Sequence, residues 1–160
     1  MKILCLPTRN WRLVLQGGLA PLLIAAQTDE LAPHVRQRDE CLQRTKQECR
    51  RYAIEELGKT PLLVGEDDVA MPKQLPPPTP EFPKREKLFR VRRPTWVGVL
   101  LITTDGDVSK VWVVEGIDAD PPWPEFNDAY RDWVKNWKYE ARDQDLLPLC
   151  TAVVAKVNFS

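Results

Sequence analysis

The sequence predicts an α+β fold, a three-stranded antiparallel sheet covered by one helix in the order β-β-α-β, preceded by a spacer helix and a proline-rich linker. Three observations carry this reading. Two runs rich in β-branched and aromatic residues flank Asp105-Gly106, apolar residues then recur at helical spacing from Phe126 to Trp137, and a last segment alternates from Leu149 onward.

Composition sets the frame for these elements. The 160 residues hold 23 basic and 23 acidic side chains, so no net field draws the chain to nucleic acid, which is not expected as a partner. Hydrophobic residues at 43% suffice for a core, whereas 15 prolines are roughly twice the usual share of about 5%. Seven of those prolines fall between Pro72 and Pro94, and they divide the chain. Residues 1–27 read as a signal peptide or short membrane anchor, 28–60 as the spacer helix, 61–94 as a proline-rich and basic linker, and 95–160 as the folded domain.

The N-terminal layout is that of an exported protein: Lys2, Arg9 and Arg12 precede an apolar run from Leu13 to Ala26, and polar residues follow. That run holds about 14 residues against the roughly 20 that cross a bilayer, which favours a cleaved signal and leaves a short anchor open. Cleavage would remove Cys5 and leave Cys41, Cys49 and Cys150, an odd set that implies one thiol free or paired between chains. Cys41 and Cys49 stand eight residues apart on one helix, a rise of about 12 Å, and so cannot bridge each other.

From Pro33 to Leu57 the chain lacks internal Gly and Pro, and Gly58 takes the place of a C-cap glycine. Val35, Leu42, Cys49, Tyr52 and Ala53 make a thin apolar stripe, interrupted at Arg38 and Thr45, so the helix reads as a largely solvated spacer or as a weak packing partner. Met71 to Lys84 then reads as polyproline II, because proline fixes φ and removes amide donors. At about 3.1 Å per residue it would span roughly 40 Å. Lys84, Arg85, Lys87, Arg90, Arg92 and Arg93 form the basic cluster behind it, a solvated charge run or a contact for anionic surfaces.

The domain begins with a hairpin. Trp96–Thr104 and Val108–Val114 are strand-like, and Gly106 accepts the positive φ that a tight turn requires. Residues 116–124, with three prolines, cross over to a helix whose apolar face is Phe126, Ala129, Tyr130, Trp133, Val134 and Trp137. Of these Phe126, Tyr130, Trp133 and Trp137 are the expected aromatic core, and Trp123 is expected to pack near the helix entrance. Leu149–Phe159 forms the third strand, with Thr151, Val153, Ala155, Val157 and Phe159 on one side.

These motifs, in this order, resemble the C-terminal domain of the TonB family. Gly98–Val108 is similar to that family's first strand and Asp-Gly turn, Asp128–Ala141, with Trp137-Lys138-Tyr139, to its helix ending in a Trp-Arg-Phe type motif, and Val153–Phe159 to its final strand; Pro80-Glu81 and Pro83-Lys84 echo its proline-rich linker. The resemblance implies a periplasmic protein, with association to the inner membrane through its N-terminus left open, that docks an extended segment of an outer-membrane receptor or other envelope protein by strand addition. It implies Val153, Val154, Ala155, Lys156, Val157 and Asn158 as the partner-binding edge, with Lys156 meeting a partner carboxylate or deterring self-pairing. Energy transduction to outer-membrane transporters is one version of this role. The other is a stand-alone binding or scaffold module without energy coupling, since Leu13–Ala26 offers only Gln16 as a polar group; a homodimer also stays open.

Catalysis and cofactors are not expected. His34 is the only histidine and lies in the spacer helix, no CxxC pair suggests zinc, and no nucleophile elbow or phosphate loop is present. Asp118 and Asp120 in the crossing loop are the carboxylates an enzyme reading would have to use.

Overall fold

The computed structural model describes residues 31–84, 90–143 and 146–159. The signal or anchor reading of residues 1–27 lies outside them, as does Cys5. In chain order the elements are α1 (Leu31–Leu57), β1 (Leu62–Leu63), β2 (Arg90–Arg93), β3 (Thr95–Ile102), β4 (Val108–Glu115), β5 (Asp118–Asp120), α2 (Pro124–Lys135) and β6 (Leu149–Lys156). The α+β class holds. The expected antiparallel trio is present as β4, β3 and β6, but the sheet has a fourth strand, in the order β1-β6-β3-β4 with β1 parallel to β6. β2 and β5 pair as a separate antiparallel ribbon, inside segments that read as linker and crossing loop.

The hairpin turn is set by one residue. Gly106 has φ 89°, its N–H donates to the Thr103 carbonyl at 3.0 Å, and its own carbonyl accepts from the Tyr139 N–H at 2.9 Å. A Cβ there would strike the Tyr139 carbonyl, so glycine is demanded by close approach as well as by φ.

β3 is the centre of the molecule and is buried from Trp96 to Ile102. Trp96, Leu100 and Ile102 turn to one face, where Phe126, Tyr130 and Val134 of α2 cover them together with Trp137 and Tyr139. Each large side chain so buried stabilises the fold by about 1.5–3 kcal/mol before entropy is subtracted. α2 ends at Lys135, so Trp137 enters this core from the turn beyond the helix, its N–H donating to the Val134 carbonyl at 3.0 Å. Trp133, expected in the core, is half-buried on the flank of α2.

The opposite face corrects the spacer-helix reading. Val97, Val99 and Leu101 of β3 pack with Trp112 and Val114 of β4 against Cys41, Cys49 and Ala53 of α1. Cys41, Thr45, Cys49 and Ala53 of α1, one every four positions and all small, are buried against the sheet, so the helix axis can lie close to the strands, with Leu42 and Tyr52 packed at the flank. The Thr45 hydroxyl is satisfied by the Cys41 carbonyl at 2.8 Å, which makes its burial tolerable. α1 closes as expected at Gly58, φ 64°, with Gly58 N–H bonded to the Ile54 carbonyl and Lys59 N–H to the Ala53 carbonyl.

A disulfide joins this helix to the sheet: Cys49 and Cys150 are bonded, at a sequence separation of 101. Cys41 is disulfide-bonded as well, and no described cysteine is a free thiol, so the odd thiol expected from the sequence does not appear among the described residues.

The proline-rich segment is not a free spacer either. It runs back along α2 and is fastened there, with Glu140 N–H bonded to the Lys73 carbonyl, Leu75 N–H to the Lys138 carbonyl, and Phe82 set among Phe126, Tyr130 and Trp133. The reach of roughly 40 Å expected of a free polyproline stretch is therefore not realised. Among the described residues, no helix is long and apolar enough to cross a membrane.

Candidate functional site: an open strand edge

β6 lies against β3 over its whole length, without a bulge, from Leu149↔Ile102 to Lys156↔Thr95. In an antiparallel pair, main-chain groups of alternate residues turn toward the neighbour and away from it. Val157 N–H donates to the Pro94 carbonyl at 2.7 Å, which fixes the phase: odd-numbered residues bond to β3 and even-numbered residues face outward. β1 takes the first outward groups, with Leu62 N–H on the Pro148 carbonyl at 2.9 Å and Val64 N–H on the Cys150 carbonyl at 3.0 Å.

A turn then carries β1 away. Asp67 N–H and Glu66 N–H both donate to the Leu63 carbonyl, the Asp67 carboxylate accepts from Leu63 N–H at 2.6 Å, and Gly65 has φ 88°. From Ala152 to Lys156 no described strand occupies the outer edge. Ala152, Val154 and Lys156 turn their N–H and C=O groups to that side, where the one bond recorded is a long 3.4 Å contact from the Thr151 hydroxyl to the Ala152 carbonyl.

Side chains around this edge differ by face. Val153, Ala155 and Val157 lie half-buried on the α2 side, against the aromatic core. Ala152, Val154 and Lys156 lie on the α1 side, past the cover of that helix, and Val154 is 63% exposed. An unpaired main chain flanked by exposed apolar groups is the composition that favours an added strand, and the Lys156 ammonium at its end opposes pairing with other cations.

The six residues expected at the edge divide accordingly. Val154 and Lys156 offer outward main chain; Val153 and Ala155 spend theirs on β3; Val157 and Asn158 lie past the end of β6. Ala152 belongs to the outward set and was missed, although even-residue parity with Val154 would have found it. Phe126 and Tyr130 are buried in the core, where the sequence places them, and Phe159 lies against Phe126 at 5.3 Å between ring centroids, with Trp123 at 6.4 Å from Phe159.

β4, the other border of the sheet, is a poorer template. Its pairing with β3 shifts register at Val97/Gly98 and again at Leu101/Ile102, and such irregularities spoil an edge for further pairing. Lys110 on β4 folds over the Tyr52 ring, 4.2 Å from its centroid.

Polar clusters elsewhere serve the fold. Arg93 reaches Glu115 and Asp118, each at 3.3 Å, while His34 lies 3.3 Å from the same Glu115 carboxylate, so the start of α1 is tied to β2, β4 and β5. Arg92 pairs with Asp120 at 2.6 Å. Arg92 and Arg93 of the basic cluster are thus neutralised within the molecule, and the two aspartates named as enzyme candidates are held in ion pairs. No group of three or more metal-ligating side chains occurs among the described residues. Comparison of the chain with protein-family models, with curated proteins and with solved structures found no match.

Proposed function

We propose that this protein is a non-enzymatic docking module that takes up an extended segment of a cell-envelope protein, such as an outer-membrane receptor, by strand addition at the outer edge of β6. The observation that carries this reading is the regular outer edge of β6, with the outward main chain of Ala152, Val154 and Lys156 left without a strand partner among the described residues. The resemblance of the hairpin, aromatic helix and last strand to the TonB C-terminal domain supports the same role. Disulfide-bonded Cys41, Cys49 and Cys150 favour an oxidising compartment such as the periplasm.

Between force transmission and stand-alone docking, one observation favours the second. A force-transmitting arm needs a segment with reach, and here both α1 and the proline-rich segment are packed onto the domain. The stand-alone docking module is therefore the version we adopt.

Val154→Pro tests the proposal. Residue 154 turns its N–H away from β3, so proline there costs no ladder bond within the fold, yet it removes a donor from the outer edge and places a ring in the path of an incoming strand. Titration of the protein with a synthetic peptide from the plug of an outer-membrane receptor should shift the amide resonances of Ala152, Val154 and Lys156. Val154→Pro should weaken that binding about tenfold. Peptide that leaves these amides unmoved, or binds the variant as tightly, defeats the proposal.

A further inference from the structure

The proline-rich segment carries chemistry that the β6 edge does not use. Pro76, Pro77, Pro78, Pro80 and Pro83 hold φ near −65° and leave an extended left-handed helix as the available backbone form. Both ends of the stretch are anchored. At one end lie the bonds from Glu140 N–H to the Lys73 carbonyl, 2.9 Å, and from Leu75 N–H to the Lys138 carbonyl, 2.8 Å. At the other, the Phe82 ring stacks on Tyr130 with centroids 5.8 Å apart and planes 14° from parallel. Midway, the Trp133 indole N–H donates to the Pro78 carbonyl at 2.7 Å.

Between these anchors Pro76, Pro77, Pro78, Thr79 and Pro80 are all exposed. A polyproline II helix repeats every three residues, so Pro76, Thr79 and Phe82 form one ridge and Pro77, Pro80 and Pro83 another. Phe82 is turned into the aromatic side chains of α2 and Pro83 beside it is half-buried, whereas Pro77 and Pro80 carry their rings on the exposed part of the segment. Core packing does not account for that ridge, since neither ring is buried.

We propose that Pro77–Pro80 is a docking ligand, displayed in polyproline II form, for a partner protein whose groove is lined with aromatic side chains. Two prolines three positions apart fit successive slots of such a groove, whose indole or phenol donors would take the carbonyls of Pro77 and Thr79, that of Pro78 being held by Trp133. A free proline-rich peptide gives up some freedom on binding; here folding has already fixed both ends, so less remains to be lost. Lys84 is exposed four residues after Pro80 and favours an acidic rim on the partner groove. This surface lies on the flank of α2 and does not rest on strand addition at β6.

Isolated SH3 and WW domains are suitable probes, titrated into the full-length, disulfide-bonded protein and followed by amide resonances and calorimetry. At least one should bind and shift the amides of Thr79 and Glu81 while leaving Ala152 and Val154 in place. Pro77→Ala with Pro80→Ala should weaken that binding at least tenfold with the near-ultraviolet dichroism of the aromatic core unchanged; Lys84→Glu should weaken it about threefold. Val154→Pro should have no effect on it. The proposal is overturned if neither domain binds, if the double alanine variant binds as the parent does, or if the shifted amides are those of β6.

Discussion

Trp96 is fully buried beneath α2, and its indole folds back over Gly98, where a Cβ would overlap the ring. Neither group has room to move, so Gly98→Ala should cost about 1–3 kcal/mol, read as a lower urea midpoint with an unchanged slope. Tyr139 gives a second prediction at this scale. Burial pushes its phenol up to about 12 and raises that of Tyr130 as well, so the folded chain holds these protons more tightly than the unfolded chain does. That contribution is fully present below the ordinary phenol value of about 10 and is lost as pH rises toward 12. Melting temperature should therefore fall above about pH 10, and Tyr139→Phe should flatten part of the fall; a melting curve for the variant parallel to that of the parent would refute the assignment. Single residues were legible from the sequence where one physical demand sufficed to select them, as positive φ does at Gly58 and Gly106. Thr45 was not, because a hydroxyl counts against burial until its bond to the Cys41 carbonyl is seen.

At the level of elements, β3, β4, β6 and α2 follow from period and turn chemistry, and each begins within a few residues of its expected place. What was overlooked is the meaning of the unbroken apolar run Trp96–Ile102, interrupted only by Gly98: a strand with one solvated face alternates, whereas this one is covered on both. A second layer was thus implied, and α1 supplies it with small residues that scarcely register as an apolar stripe. β1, β2 and β5 have two, four and three residues, too short to show a period. The Cys49–Cys150 disulfide locks α1 to β6, and its 101-residue separation in sequence makes it effective at restricting the unfolded chain. Replacing both cysteines with alanine should cost about 3–5 kcal/mol in denaturant titrations. A loss below about 1 kcal/mol would mean that packing alone holds the helix in place.

Taken whole, the described chain is a sheet between two layers, α1 on one side and α2 with the proline-rich segment on the other. The resemblance pointed to the last strand as the edge we propose for docking, and parity within the sheet narrows that proposal to three residues; the second layer, by contrast, depends on contacts between segments far apart in the chain, which local pattern does not record. The two-residue strand β1 has a consequence for any guest at that edge. It acts as a ruler stop: beginning at Lys156, an incoming chain has room for about five residues, roughly 17 Å, before it meets Val64 and must peel away from the sheet. Recognition here would be measured in length as well as in sequence, and a guest held this way keeps both of its ends free for whatever lies beyond.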